Sequence, residues 1–416
     1  MSIFLIILNL LLMGGVCWWL YNRSVELGDK VFLSALAFKT LATLALGWLY
    51  QSYYSAGDIL NYFRLGDELN NELWLDPVRY FRVIIGVDHF EAFDGQPGVV
   101  FMAKLVSVVN IITGDHFWLS SLWLSLFCFS GLIFLVKVLL QLYPYHKFGI
   151  LILLFWPSFT FWSSGLLKES LAIGALGFLM GGFILFIYGG LGRNRWKAAI
   201  PAALLFLLLW QVKYYYAGVL LLVIVSFLAT RMLSQKLKIT GGAKQVALYF
   251  AFMMLLALII TRLHPNFYLE RFAEVIVNNY ETYHHISDPE DVVDYDDLEP
   301  SFISLAVHSP KALFNGLFRT MIGESMELLK VIAGLENFLF LFLVVAALFR
   351  INGIKRKQVL LLCAMLSYVV VLLIFLSLSA PNLGTLSRYR AGVFIVLLPL
   401  IAIQNPLIER VKRLVK

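Results

Sequence analysis

The chain of 416 residues is too apolar to form a water-soluble surface: 60% of its residues are hydrophobic, 15% aromatic and only 14% charged, with a mean hydropathy of +0.82. A spanning helix needs about 20 apolar residues, and such runs extend along nearly the whole chain. The net charge of +7 is modest and segregated by loop, which excludes a nucleic-acid partner. We therefore predict a single polytopic, all-α integral membrane domain over residues 1–416.

The apolar runs predict about eleven transmembrane helices. Residues 1–20 lack a basic start and a small-residue cleavage site, so we interpret them as the first span and not as a signal peptide. The three cysteines lie inside apolar runs and indicate no disulfide framework. The predicted spans are 3–21, 31–50, 118–140, 148–165, 169–188, 198–211, 215–230, 245–262, 334–349, 358–378 and 390–404.

The loops between these spans alternate in charge, which predicts the topology. The two long loops, about 51–117 and 263–333, are rich in Asp and Glu, whereas a second set of connections is basic. By the positive-inside rule the basic set is cytoplasmic, the N-terminus and both long loops are outside, and the C-terminus is inside. The basic set contains Lys137, Lys147, Arg193, Arg195, Lys197, Arg231, Lys236, Lys238, Lys244, Arg350, Lys355, Arg356, Lys357, Arg410, Lys412, Arg413 and Lys416.

The two long external loops contain more than solvated chain. Residues 73–86 and 99–112 of the first loop, and 311–332 of the second, have apolar residues at helical spacing. This pattern is typical of amphipathic helices that lie in the membrane interface. The acidic stretch 287–299 carries a high density of like charge and is predicted to be a solvated lid or a flexible segment.

A polar stretch, residues 155–170, interrupts a long apolar region with hydroxyl side chains, a glycine and the adjacent opposite charges Lys168 and Glu169. A charge inside a membrane segment costs about 2.5 to 3.5 kcal/mol on insertion scales, so these two side chains are expected to face protein or a wet cavity. One interpretation is an interfacial turn with Trp156 and Trp162 in the aromatic belt. The other is that the turn also lines a site.

Asp58 follows the second predicted span directly, next to Gly57, and therefore lies at the external membrane surface. Tyr62 is four residues further on and shares its face if a helix begins there. A carboxylate in this position is suited to accept a proton from a substrate hydroxyl. The alternative is that Asp58 is a helix N-cap.

Several cations are predicted on the same external face. Arginine binds phosphate oxygens bidentately and lysine acts as a point charge, so such a group suits a lipid phosphate or pyrophosphate. Taken singly, each is also explained as a snorkelling interfacial residue. The cations are Lys168, Lys213, Arg262, Arg319, Arg388 and Arg390.

Other external residues complete the predicted site. Glu324 and Glu327 are expected to pair with the cations or bind sugar hydroxyls, and Tyr214 with the two tryptophans to flank sugar or prenyl groups. Four histidines show no metal-ligand spacing with carboxylates, so we predict neither a metal nor a cofactor. They are His264, His284, His285 and His308.

Four short motifs resemble those of bacterial polytopic membrane glycosyltransferases. The group includes GT-C-type enzymes, which use polyprenyl-phosphate sugars, and Wzy-type polysaccharide polymerases. The resemblance covers most of the chain in layout but only these motifs in sequence. They are Gly57-Asp58 with Tyr62; Pro157-Ser158, Phe161 to Gly165 and Lys168-Glu169; Arg319 with Glu324; and Asn382 to Thr385 with Arg388-Tyr389-Arg390.

The resemblance implies a general base, because in GT-C-type enzymes the acid of the first large external loop has that role, which here corresponds to Asp58. In that group the large loop usually follows the first span, whereas here it follows the second. Polymerases depend instead on external arginines, and this chain has those as well. The motifs therefore leave transferase and polymerase both open.

The function expected from these features is sugar transfer on the outer face of a bacterial cytoplasmic membrane, in envelope polysaccharide synthesis. The partners would be a polyprenyl-phosphate- or pyrophosphate-linked donor, a saccharide acceptor, the lipid bilayer and envelope-assembly proteins. A transporter or flippase of lipid-linked sugars is the alternative from another class, although Leu171 to Ile187 and Val219 to Leu228 have almost no polar residues. A noncatalytic scaffold explains the hydrophobicity but not the clustered charges.

Overall fold

The computed structural model describes residues 3–54, 57–93, 95–189, 195–263, 268–324, 326–349 and 358–415. These residues form α-helices joined by short connections and contain no β-strand, as the composition predicts. The chain divides into two compact units, Met1–Tyr214 and Tyr215–Lys416. Predicted topology or site residues outside the described ranges are Asp94, Arg193, His264, Arg350, Lys355, Arg356, Lys357 and Lys416.

Unit 1 is built around the long helix α6, against which α10 packs closely. A Cβ on Gly131 of α6 would lie 2.1 Å from the carbonyl oxygen of Gly174, and one on Gly177 would lie 2.5 Å from that of Gly131. Small residues at such a crossing let two backbones approach within a membrane. The helices are α1 Ile3–Asn22, α2 Asp29–Trp48, α3 Asp58–Leu75, α4 Pro77–Ile85, α5 Pro97–Thr113, α6 Phe117–Leu142, α7 Lys147–Ile150, α8 Ile152–Phe155, α9 Pro157–Trp162 and α10 Lys168–Ile187.

Helix α11, Arg195–Lys236, contains the boundary between the two units. Its 42 residues would extend about 63 Å at 1.5 Å per residue, twice the thickness of a bilayer core. The helix is broken at Lys213, whose φ and ψ angles of −148° and 73° are not helical. The break falls where the sequence predicts a turn between two spans.

Unit 2 contains the helices that follow. The last predicted span, 390–404, corresponds to α18, and the short helix α17 that precedes it makes an angle of 59° with α18. The helices are α12 Gly242–Leu263, α13 Leu269–Ile286, α14 Phe302–Phe318, α15 Leu328–Leu348, α16 Val359–Ser379, α17 Leu383–Tyr389, α18 Ala391–Ala402 and α19 Pro406–Val415.

The described residues contain eight helices long and apolar enough to cross a membrane, or nine if the bent pair is one span, fewer than the predicted eleven. Two predictions account for the difference. The predicted span 148–165 is divided among the short helices α7, α8 and α9. The extended backbone at Trp156, before Pro157, separates α8 from α9. The predicted spans 198–211 and 215–230 both lie in α11. This helix is counted as one candidate span, although its backbone is broken at Lys213.

The first long loop forms a layer of three packed helices, in which α4 lies within the predicted amphipathic stretch 73–86 and α5 covers the predicted stretch 99–112. Helices α3 and α5 pack so closely that a Cβ on Gly66 would lie 2.9 Å from the amide nitrogen of Ser107. Apolar residues of α3, α4 and α5 form a buried cluster that includes Leu69 and Val83. Large apolar side chains of α3 and α4 are exposed, as they would be in interfacial helices: Trp74, Leu75, Val78, Phe81 and Ile85.

The second long loop differs from its predicted pattern. The predicted amphipathic helix 311–332 covers the end of α14, a nonhelical connection and the start of α15. Residues 287–299 are anchored, and are not a free lid: Val293 is fully buried, and its amide donates to the Pro381 carbonyl at 3.0 Å. The Tyr295 hydroxyl lies 2.7 Å from Ser377 Oγ. The apolar residues between the acidic ones hold the segment against α16, which charge density alone did not predict.

Candidate functional site

Within the polar stretch 155–170, the residues between α9 and α10 form a turn that is fixed by hydrogen bonds. Gly165 has a φ of 66°, a conformation that favours glycine, and its amide donates to Ser125 Oγ at 2.7 Å. The hydroxyl of Ser170 donates back to the Gly165 carbonyl at 2.8 Å. These bonds hold the first turn of α10, and therefore Lys168 and Glu169, in a defined position.

Lys39, in the middle of the second span, is a residue that sequence reasoning missed. Its ammonium group is buried and donates to the Ser163 hydroxyl at 2.8 Å and to the Ser163 carbonyl at 2.5 Å. A cation at the C-terminal end of α9 is favoured by the helix dipole. The signal in the sequence was a lysine inside an apolar span, which in a membrane indicates a specific partner.

Lys168 lies where two helices begin. It is the first residue of α10, and a Cβ on Gly98, in the first turn of α5, would lie only 3.2 Å from its Nζ atom. The ammonium group is also 5.4 Å from the centre of the Tyr62 ring, within the range of a cation–π contact. Helix N-termini carry partial positive charge, so this arrangement has the electrostatics of an anion-binding site.

Glu169 and Lys213 form a buried ion pair, with Lys213 Nζ 2.8 Å from Glu169 Oε1 and side chains 4% and 1% exposed. The nonhelical backbone at Lys213 lies at this pair. A buried charge is tolerated in a protein interior when it is paired and hydrogen-bonded. The ion pair thus connects the break in α11 with the first turn of α10. The Glu169 carboxylate also offsets the positive charge of Lys213.

Asp58 is the first residue of α3, and its N-cap alternative is not what the structure shows. Gly57 occupies the N-cap position with a φ of 120°, and its carbonyl accepts the first helical hydrogen bond from Asn61 at 3.1 Å. A carboxylate in the first turn complements the helix dipole. Tyr62, one turn after Asp58 in α3, is buried and its ring contacts Lys168. The candidate base Asp58 is therefore one helical turn away from a residue that contacts the cation.

An open cleft lies beside the first turns of α3 and α5. Asn61, which follows Asp58 by three positions and so shares its side of the helix, forms part of the wall. The other residues lining the cleft are Arg64, Leu65, Ala92, Phe93, Gly95, Val99 and Val100. The cleft offers a place for a polar ligand within one helical turn of Asp58.

A buried polar network holds α3 in register with α5. Asn70 Nδ2 donates to Asp115 Oδ1 at 2.8 Å, and the Ser107 hydroxyl donates to Asn70 Oδ1 at 2.5 Å. The Tyr80 hydroxyl lies 3.0 Å from Ser107 Oγ. On the same helix, burial raises the pKa of Asp67, and the neighbouring Asp115 adds to the effect. Satisfied buried networks of this kind rigidify their surroundings.

The three aromatic residues predicted to flank the substrate have different environments. Trp162 is half-buried and packs on the apolar cluster that contains Tyr62, Leu166 and Leu167. Tyr214 is 56% exposed. Trp156 is only 3% exposed, so it belongs to the core and neither to an aromatic belt nor to a substrate surface.

In unit 2 the predicted pair of Arg319 and Glu324 is present, with Arg319 Nε 2.8 Å from Glu324 Oε1. The second oxygen of Glu324 accepts from the Met321 amide at 3.0 Å, which closes the turn between them. Both side chains remain partly exposed. Glu327 instead contacts Lys330 at 3.0 Å, and Arg262 is exposed near the end of α12.

Arg390 has a position that the prediction of phosphate binding did not anticipate. Its side chain is 2% exposed, and Nη1 donates to the carbonyls of Leu317 and Arg319 at 2.8 and 3.3 Å. These carbonyls end helix α14, where the dipole favours a cation. Arg390, at the bend between α17 and α18, therefore serves to join those helices to α14.

Arg388 is half-buried and close to Tyr389: its guanidinium carbon lies 5.1 Å from the ring centre and Nη2 lies 3.5 Å from the hydroxyl. The start of α17 is fixed by Asn382. Its side-chain oxygen accepts from the Thr385 amide and so caps the helix, and its side-chain nitrogen donates to Ser287 Oγ at 3.0 Å. Arg388 is thus presented on a firmly held helix of two turns.

No group of three or more His, Cys, Asp or Glu side chains that could hold a metal ion is present in the part of the chain that the structure describes. The predicted site residues are divided between the units: Asp58, Tyr62, Trp162, Lys168, Glu169, Lys213 and Tyr214 belong to unit 1, and Arg319, Glu324, Arg388 and Arg390 to unit 2. Comparison of the chain with protein-family models, curated proteins and solved structures found no match.

Proposed function

We propose that the protein is a membrane glycosyltransferase that moves a sugar from a polyprenyl-phosphate or pyrophosphate carrier to a saccharide acceptor on the extracytoplasmic face. The observation that carries the proposal is the position of Lys168, between the first turns of α5 and α10 and against Tyr62. An anion at this place would be stabilised by the ammonium group and by two helix dipoles together. A lipid-linked phosphate is the anion that an enzyme embedded in a bilayer would meet there.

The chemistry requires a base and a cation, and unit 1 has candidates for both. The Asp58 carboxylate would take the proton of the acceptor hydroxyl as the hydroxyl oxygen bonds to the anomeric carbon. The bond from that carbon to the phosphate oxygen breaks, and its electron pair leaves with the phosphate. Lys168 would stabilise the charge that develops on that oxygen.

A Wzy-type polymerase is the second candidate, and the environment of Arg388 favours it. This arginine is held on an ordered helix beside tyrosine rings, as expected of a residue that binds a saccharide diphosphate. A flippase has less support, because the buried mid-span charge of Lys39 is engaged by backbone carbonyls of the α9–α10 turn.

The proposed orientation places the N-terminus and both long loops outside a bacterial cytoplasmic membrane. In unit 1 the ammonium groups of Lys137 and Lys147 donate to carbonyls of residues 23–27, so these basic side chains gather at one end. The positive-inside rule makes that end cytoplasmic.

Cysteine labelling in intact cells tests this orientation. With the three native cysteines replaced, cysteines at Glu91 and Glu290, both exposed, should react with an impermeant thiol reagent. A cysteine at Tyr145, which is 83% exposed, should react only after the membrane is opened. Labelling at Tyr145 alone in intact cells would reverse the orientation and remove the proposed site from the outer face.

The variant Lys168→Gln tests the phosphate role in purified protein supplied with a radiolabelled polyprenyl-linked saccharide from the producing cell. Loss of a charge-assisted hydrogen bond, about 1.5 to 3 kcal/mol, should raise the KM for this donor about 10- to 100-fold. Lys168→Arg keeps the charge and should retain more activity. Lys104→Gln, on α5, is the matched control. A Lys168→Gln protein with an unchanged donor KM would refute phosphate binding by this residue.

A further inference from the structure

Three tyrosines from three separate segments of unit 2 converge beside Arg388. The rings of Tyr215 in α11 and Tyr389 in α17 have their centres 6.3 Å apart at an angle of 50°. The hydroxyls of Tyr283 in α13 and Tyr389 are 3.4 Å apart. All three tyrosines are half-buried, so each keeps part of its ring or hydroxyl at the surface.

The backbone beneath these side chains is held tightly. The hydroxyl of Tyr216 donates to the Tyr389 carbonyl at 2.5 Å. Tyr216 is itself fully buried against Gly392, where an added Cβ would lie 2.2 Å from its ring. Only a residue without a side chain allows this approach, so the bend after Tyr389 is locked and the ring of Tyr389 projects from a fixed position.

The combination of groups identifies a ligand class. Aromatic rings offer flat apolar faces, tyrosine hydroxyls both donate and accept hydrogen bonds, and a guanidinium group donates several in one plane. A pyranose ring has complementary features, with a face of C–H groups and a rim of hydroxyls. Tyrosines of an interfacial belt would instead be spread along the membrane surface, and rings from separate segments would not gather at one residue as they do at Tyr389.

We propose that Tyr215, Tyr283, Arg388 and Tyr389 form a saccharide-binding site of unit 2. The proposal rests on the function proposed above and extends it by giving the sugar chain a site with its own residues. The ligand is a pyranose unit of an oligosaccharide, which either the lipid-linked donor or the acceptor supplies.

Binding of oligosaccharides can be measured without turnover. The probe is a set of fragments released by partial hydrolysis from the envelope polysaccharide of the producing cell, and saturation-transfer NMR reports their contact with the purified full-length protein. Tyr283→Phe and Tyr389→Phe keep the rings, and the latter keeps the carbonyl that Tyr216 binds. Each should weaken binding about fivefold, the effect of one hydrogen bond. Tyr215→Leu, which removes a ring face, should weaken it about tenfold.

Tyr268→Phe provides the matched control, because Tyr268 is 49% exposed and lies at the N-cap of α13, outside the cluster. It should bind the fragments like the parent protein. A belt function predicts that Tyr283→Phe and Tyr389→Phe also bind like the parent, and that result would overturn the proposal. Equal losses in all variants, including Tyr268→Phe, would overturn it too.

Kinetics then separate the two sources of the sugar. If the site holds the acceptor, the phenylalanine variants should have a higher KM for the fragments and an unchanged KM for the lipid-linked donor. If it holds the donor saccharide, the KM for the donor should rise and the KM for the fragments should stay unchanged. Failure of the proposed function has a different signature, since the parent protein would then turn over no lipid-linked sugar at all. A parent protein that is active, with variants of unchanged KM for both substrates, contradicts only the site in unit 2.

Discussion

Replacing Asp58 with asparagine is expected to lower the rate of sugar transfer about 10²- to 10⁴-fold, the usual contribution of a general base. The amide has nearly the size of the carboxylate but cannot accept the proton. Because Gly57 is the N-cap of α3, the Asp58 carboxylate stabilises the helix through its favourable position at the dipole, which is worth about 0.3 to 1 kcal/mol. The protein should therefore insert and fold nearly normally.

The measurement is turnover of a labelled polyprenyl-linked sugar by detergent-purified variants, normalised to folded protein. Asp76→Asn provides a matched control, because it makes the same chemical change in the same helical layer. Asp76 caps α4 through the Arg79 amide, and asparagine caps a helix as well as aspartate. Asp76→Asn should be active. Near-parental turnover by Asp58→Asn would eliminate the general base and favour an arginine-based polymerase mechanism.

Breaking the ion pair of Glu169 and Lys213 is expected to destabilise the protein by about 3 to 5 kcal/mol, because either single replacement leaves an uncompensated buried charge. Glu169→Met and Lys213→Met should each reduce the yield and the thermal midpoint of monodisperse protein in mild detergent. The double variant Glu169→Met/Lys213→Met leaves no buried charge. Since apolar replacement of a buried pair is often neutral or stabilising, it should recover most of the stability.

Activity of the double variant then decides between two roles of Lys213. If the lysine only positions α10, the recovered protein should transfer sugar at a rate close to the parent. If it also binds phosphate, as the sequence suggested, the double variant should be folded but inactive. Single variants as stable as the parent would show that the pair does not hold this turn together.

Much of the architecture follows from local properties of the chain. Apolar runs identify helices in a membrane because the backbone must satisfy its own hydrogen bonds there, and the described residues are indeed helical with eight candidate spans. Counting spans was less successful, since hydropathy does not register where a backbone leaves the helix. Trp156, before Pro157, is such a place, whereas the break at Lys213 falls between two predicted spans.

The sequence alone therefore determined the all-helical, apolar character of the protein and singled out Asp58 and Lys168 as residues of interest, because composition, spacing and position relative to apolar runs are local signals. Only the tertiary structure decided which groups each charge contacts. Lys213 pairs with Glu169, Arg390 binds the end of α14, and Lys168 lies at two helix N-termini. These outcomes depend on contacts between residues far apart in the chain, where burial and helix dipoles, and not residue type, set what each charge does.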